Sequence, residues 1–146
     1  MTLLGIDYGD SRTGIAIAPD GTCAVPLTVV DSTSGRKKTA LEIARIALQK
    51  DAGGIVIGYP LNMDGSKGRR VVVTEKFAKD LKQALSDLSY DAQIVFRDER
   101  LTSRAAEKVL ISSDISLSQK GISDQLAAVM ILQDYIDSNK ERNVQI

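Results

Sequence analysis

The spacing of apolar residues changes period along the chain, and each change marks an element. Residues 3–8 (LLGIDY) form a short apolar run ending in an acid and a tyrosine, and Gly9 to Thr13 supply turn chemistry. Residues 14–18 (GIAIA) resume as a second strand. Pro19-Asp20-Gly21 is a hairpin-type turn signal. Residues 22–30 (TCAVPLTVV) predict a third strand, which Pro26 restricts to a sheet edge because proline has no N–H to give to a ladder. The chain therefore opens on a three-stranded antiparallel meander. From residue 36 the period lengthens, and Ala40, Leu41, Ala44, Ala47 and Leu48 share one stripe of a helix over 36–50, with Gly53-Gly54 as its stop signal. Residues 55–58 (IVIG) read as a strand buried on both faces. The polar loop 59–68 (YPLNMDGSKG) leads to a second amphipathic helix marked by Val73, Phe77, Ala78, Leu81, Leu85 and Leu88. Residues 93–97 (QIVFR) predict a fifth strand. Residues 103–112 predict a third helix with Thr102 or Ser103 as N-cap, the serine-rich stretch 112–118 reads as a flap-like loop, and 122–138 predict a last helix.

The order β-β-β-α-β-α-β-α-α specifies an α/β fold: a mixed five-stranded sheet with helices on its faces. The 146 residues suit one domain, expected over 1–138, with a polar, frayed tail over 139–146. Hydrophobic residues are 43% and charged residues 26%, enough for an ordinary core and a soluble surface. No apolar run approaches the roughly 20 residues that span a bilayer. The opening MTLLGIDYG has no basic region or cleavage site, so a cytoplasmic protein without a membrane partner is expected.

Two absences narrow the chemistry. Cys23 is the only cysteine, which excludes an internal disulfide and a cysteine zinc site. There is no histidine, which excludes Ser-His-Asp and Cys-His nucleophile schemes and histidine metal sites. Hydrolytic chemistry must then rest on carboxylates, lysine, tyrosine, hydroxyls or a bound ion.

Three separate segments offer carboxylates at positions where strands or helices end. Asp7 closes the first strand, Asp98-Glu99 follows the fifth, and Asp124 falls in the first turn of the predicted last helix. Ligands of open α/β sheets gather beyond strand ends. Asp124 has an alternative reading as a helix N-terminal acid favoured by the macrodipole. It shares its helical face with Ala128, Ile131 and Tyr135, however, and an acid on an apolar face needs a partner. Asp98 and Glu99 point to opposite faces if both stay extended, and pattern alone does not choose between them. Such a set suits hard cations, Mg²⁺ or Mn²⁺, and a pair of them can activate water and stabilise the leaving oxygen of a phosphodiester.

Net charge is +0, from 19 basic and 19 acidic residues, so an affinity for nucleic acid would have to come from local patches. Lys67, Arg69 and Arg70 follow the loop Gly58–Gly65, Arg36, Lys37 and Lys38 form a second cluster, and Arg97, Arg100 and Arg104 flank the Asp98-Glu99 pair. Together they suggest a phosphate channel, or else ordinary solvated faces. Aromatics are only 4%, which leaves base stacking poorly supplied and favours recognition of backbone and shape. The glycines around Asp7 form neither GxGxxG nor GxxxxGK[ST], and they fit close backbone approach and a tight strand connection instead.

GIDYGDSRTGIAIA, GIVIGYPLNMDGSKG, DERLTSRAA and SDQLAAVMILQDYI, in that order, resemble the YqgF/RuvX family of Holliday-junction-resolvase-like proteins taken for nucleases of precursor 16S rRNA. The resemblance runs from about residue 3 to 137. It implies a ribonuclease-H-like fold with sheet order 3-2-1-4-5, strand 2 antiparallel, and helices on both faces. It also implies a metal-dependent nuclease of the bacterial cytoplasm acting on precursor rRNA, with branched DNA as the alternative substrate and a non-catalytic RNA- or ribosome-binding factor as the alternative role. By position in the motifs, the resemblance makes Asp7, Glu99 and Asp124 the catalytic and metal-holding acids, with two Mg²⁺ or Mn²⁺ ions. It places Arg12, Asn62, Asp64 and Arg100 along the site. Ser123 stands where many relatives carry an apolar residue. Monomer and homodimer both remain open.

Overall fold

Period-two stretches rich in Ile, Val and Ala form the five strands of a single sheet in the computed structural model, which describes residues 1–99 and 120–144. β1 (Thr2–Asp7) runs antiparallel to β2 (Arg12–Ala18), with Gly5 opposite Ala16 and Asp7 opposite Gly14. β2 pairs antiparallel with β3 (Val25–Asp31), the edge strand that carries Pro26. Helix α1 (Arg36–Gln49) returns the chain to β4 (Ala52–Tyr59), which lies parallel to β1. Helix α2 (Arg69–Asp87) leads to β5 (Gln93–Asp98), parallel to β4, and α3 (Lys120–Val144) packs on the other face. The order is β3-β2-β1-β4-β5, as anticipated. The helix expected over 103–112 and the loop expected over 112–118 lie outside the described residues.

Boundaries differ from the sequence reading in several places, among them β2, which begins two residues earlier at Arg12. α1 stops before Gly53-Gly54: the Lys50 N–H caps Ile46, Asp51 takes the left-handed turn at φ 58°, and both glycines lie inside β4. The Met1 side chain packs against Gly53 where a side chain would stand. β3 begins three residues later than expected, because Thr22 bonds back to Asp20 through both its N–H and its hydroxyl and stays in the turn. α3 starts at Lys120, so its first turn contains no acid and Asp124 is not a helix cap. At its other end the helix continues past residue 138, where a frayed tail was expected, to Val144.

Strand alternation divides the core in two. Leu4, Ile6, Ile15, Ile17, Ile55 and Ile57 face α1 and α2 and meet Ile43, Phe77 and Leu81. Leu3, Ala16, Ala18 and Val56 face α3 and meet Ala128, Ile131, Leu132 and Ile136. Bulk is concentrated under the helix pair. Under α3 the sheet presents mainly alanine and glycine, which lets that helix approach the strands closely.

Arg97 then fastens α3 to the edge of the sheet. Its Nε donates to Asp134 at 2.6 Å and its guanidinium to Ser138 at 2.7 Å. The cation expected to flank the acids is therefore committed to helix docking. Arg36 is likewise committed to Asp80, joining α1 to α2. Arg97→Met should cost about 1 kcal/mol, the scale of a partly exposed ion pair, and lower the melting temperature by about 2–4 °C. Thermal denaturation followed by circular dichroism measures this, and an unchanged transition would mean that the pair does not hold the helix.

Candidate active site

β1, β4 and β5 are parallel, so their C-terminal ends meet at one edge of the sheet and carry Asp7, Tyr59 and Asp98 there. Asp7 alternates with Leu3 and Gly5 and so points to the α3 face. In β5, Ile94 packs toward the helix pair and Val95 toward α3. The same alternation places Asp98 with Ile94 and Glu99 with Val95. Glu99 extends the ladder by one bond, its N–H donating to the Tyr59 carbonyl at 3.0 Å. Its carboxyl swings over Gly58, where Oε2 lies 3.3 Å from the place a Cβ would occupy, and hydrogen-bonds to Asp7. The choice between Asp98 and Glu99 thus falls to Glu99.

Asp124 arrives from α3. Its carbonyl oxygen would be 2.0 Å from a Cβ on Gly14, the residue opposite Asp7. Only glycine allows the second turn of α3 to lie this close to β2. Arg12, at the start of β2, donates from Nε to Asp124 Oδ2 at 2.8 Å and keeps 43% of its side chain exposed.

The Asp7 carboxyl is held well above the ordinary carboxylate range. Burial is the main cause, followed by the charge and hydrogen bond of Glu99 and the charge of Asp124, with Arg70 pulling the other way. Two carboxyls this close disfavour double ionisation, which is why the neighbour raises the proton affinity of Asp7. The donor set is entirely hard oxygen, which fits a divalent cation of the Mg²⁺ or Mn²⁺ kind. Among the described residues no three such side chains surround one ion-sized point, because Asp124 is turned to Arg12.

The remaining expected residues separate. Arg70, known from the sequence only as part of a basic cluster, donates to the Tyr8 carbonyl at 2.8 Å and to Asp10 at 3.2 Å, bracing the exit of β1. Its neighbour Arg69 is exposed. Lys67 lies 3.8 Å from Glu75 and 5.9 Å above the Tyr59 ring. Asn62 and Asp64 close their own loop through Ser66: Asn62 Nδ2 donates to its hydroxyl at 3.0 Å, and Asp64 Oδ1 accepts from its N–H at 2.9 Å. Arg100 lies outside the described residues. A cavity of about 350 Å³ lined by Lys82, Tyr90 and Asp91 lies at the far ends of α2 and β5, away from the acids.

The family model described as "RuvX: Holliday junction resolvase" matches residues 1–138. The "Putative pre-16S rRNA nuclease" of Ruminiclostridium cellulolyticum is 44% identical over 139 residues, covering 94% of both chains. The protein of the same name from Thermoanaerobacter pseudethanolicus is 39% identical over 145 residues, covering 97% of this chain and 100% of that one. Among solved structures, Thermus thermophilus RuvC superposes with a TM-score of 0.62 at 12% identity over 97% of each chain. Fowlpox virus resolvase, solved with Holliday junction DNA, gives 0.62 at 14% identity over 94% of this chain and 98% of its own. These two share the ribonuclease-H-like fold. The match of nearly the whole chain to one family model, together with identities near 40% to proteins of the same length, shows that the chain belongs to the RuvX family.

Proposed function

We propose that this protein is a divalent-cation-dependent nuclease that hydrolyses phosphodiester bonds of the 16S rRNA precursor in the bacterial cytoplasm, as part of ribosome biogenesis. The observation that carries this reading is the half-buried Asp7 carboxyl in hydrogen-bond contact with Glu99 while the charge of Asp124 bears on it from a different element. The names of the relatives support the substrate, and the family's fold supports the use of metal.

Asp7, Glu99 and Asp124 would hold Mg²⁺ or Mn²⁺, two ions in the bound state. Such ions lower the pKa of an attacking water and offset charge on the phosphate and leaving oxygens. Because the proton affinity of Asp7 is raised, protons and the cation would compete for its carboxyl. Arg12 holds the Asp124 carboxyl in an ion pair that metal loading would have to loosen, and its exposed guanidinium edge faces solvent where a phosphate oxygen would approach. Lys67 and Arg69 form an exposed basic rim suited to backbone phosphates. Asn62 and Asp64 keep the loop between β4 and α2 in shape. Among the described residues no helix is long and apolar enough to cross a membrane.

The test compares cleavage of labelled precursor rRNA and of a four-way DNA junction, each with Mg²⁺ or Mn²⁺. Glu99→Gln should lose more than the roughly hundredfold typical of residues that only support a metal ligand. Asp98→Asn should stay within a few-fold of wild type. Equal losses in the two variants would remove the face assignment. A cut junction beside intact rRNA would transfer the activity to branched DNA, the reading that the family description favours. Metal binding without any cleavage would leave a binding factor.

A further inference from the structure

The low aromatic content conceals a local concentration. Tyr59 ends β4 and Phe96 lies on β5, the free edge of the sheet; their rings are 4.8 Å apart and tilted by 45°. Phe96 is 42% exposed, whereas Phe77, the only other phenylalanine, is fully buried against Tyr8. Lys67 stands over the Tyr59 ring at 5.9 Å, a cation–π distance. The patch therefore combines the exposed Phe96 ring, backed by the half-buried Tyr59, with a cation, the combination on which unpaired bases stack.

Its position relative to the acids is defined by the backbone. The Tyr59 carbonyl accepts the N–H of Glu99. Phe96 precedes Glu99 by three residues, roughly 10 Å along a strand. Tyr59 and Phe96 alternate with Gly58 and Arg97, so they face away from the α3 side where Asp7 and Glu99 lie. A strand with one phosphate at the acids reaches the rings only by bending around the ends of β4 and β5. A continuous duplex cannot make that bend over so short a distance, and an unpaired strand can.

We infer that Tyr59 and Phe96, assisted by Lys67, form a stacking platform for an unpaired base adjacent to the phosphate that is cut. The inference rests on the nuclease reading and narrows its substrate to one with a single-stranded flank at the scissile bond. The aromatic count favoured recognition of backbone and shape, and the platform would add one stacked base to that recognition.

The test uses short single-stranded RNA carrying 2-aminopurine at successive positions, with chelator present so that nothing is cut. Wild type should quench the fluorophore at one or two positions. Phe96→Leu and Tyr59→Leu should abolish that quenching and weaken binding about 5- to 100-fold, with unchanged melting temperatures, whereas Phe96→Trp should retain both. Asp7→Asn should still quench. Absence of quenching in wild type, equal affinity in both leucine variants, or an equal loss for a blunt RNA duplex would overturn the platform. Cleavage that persists in the leucine variants at wild-type KM would do the same while leaving the nuclease reading intact. Stacking without cleavage would uphold the platform and remove the nuclease.

Discussion

Asp7→Asn is expected to abolish cleavage and, in the metal-free protein at neutral pH, to raise the melting temperature. Both effects come from the same carboxyl. Asp7 is packed among protein atoms with Glu99 in hydrogen-bond contact and Asp124 nearby, and its proton affinity is raised above the ordinary value of about 4. A carboxyl with a raised pKa in the folded state contributes stability fully below its unfolded pKa and loses it as pH rises through the folded one. Wild type should therefore weaken from about pH 4 upward, while the asparagine variant, whose amide can donate to Glu99 at any pH, should not. The difference between the two melting curves should vanish at acid pH and widen toward neutrality. Added Mg²⁺ or Mn²⁺ should reverse the order, because an ion that binds only the folded wild type stabilises it in proportion to the logarithm of its concentration over Kd. Cleavage should fall by more than about a hundredfold. A variant that melts lower than wild type in chelator at pH 7 would show that the buried carboxyl supports the fold rather than straining it.

The second large effect is expected at a residue that has no chemistry. Gly14→Ala places a methyl 2.0 Å from the Asp124 carbonyl oxygen and 2.4 Å from its carbon. Both contacts are backbone, so no side-chain rotation relieves them, and α3 must move off β2. Overpacking of this kind costs about 1–3 kcal/mol. Displacing a catalytic group by about 1 Å costs on the order of a hundredfold in rate. The variant should remain folded, lose about a hundredfold in cleavage, and show a smaller metal-induced rise in melting temperature than wild type. Wild-type rates and metal response would mean that the close approach of helix and strand does not position Asp124.

Sequence pattern specifies this fold where its information is periodic. Alternation of apolar residues marked β1 and β2, the missing N–H of Pro26 put β3 at the edge, and 3.6-residue stripes marked α1, α2 and α3. It failed where a local signal competed with packing. Gly53-Gly54 resembles a helix stop, yet the pair lies inside β4 against the side chains of Met1 and Leu3, and Asp51 makes the turn. Asp124 resembles an N-cap because the residues before it are polar, yet the helix has already begun at Lys120. Arg97 resembles a phosphate contact because it adjoins an acidic pair, yet it belongs to α3.

The candidate site divides along the same line. Sequence alone determined that any hydrolysis here proceeds without histidine and without a cysteine pair, since the chain has no histidine and one cysteine. It also determined that Asp7 ends a strand and that small residues alternate beside it. Only the tertiary structure decided that Glu99 rather than Asp98 meets Asp7, because the face of a strand residue has no meaning until a helix covers one side. Only the tertiary structure brought Asp124 across 116 intervening positions to the same carboxyl, because that proximity depends on how closely α3 lies on Gly14. The three acids are legible as candidates from the chain. Their meeting is a property of the packed sheet.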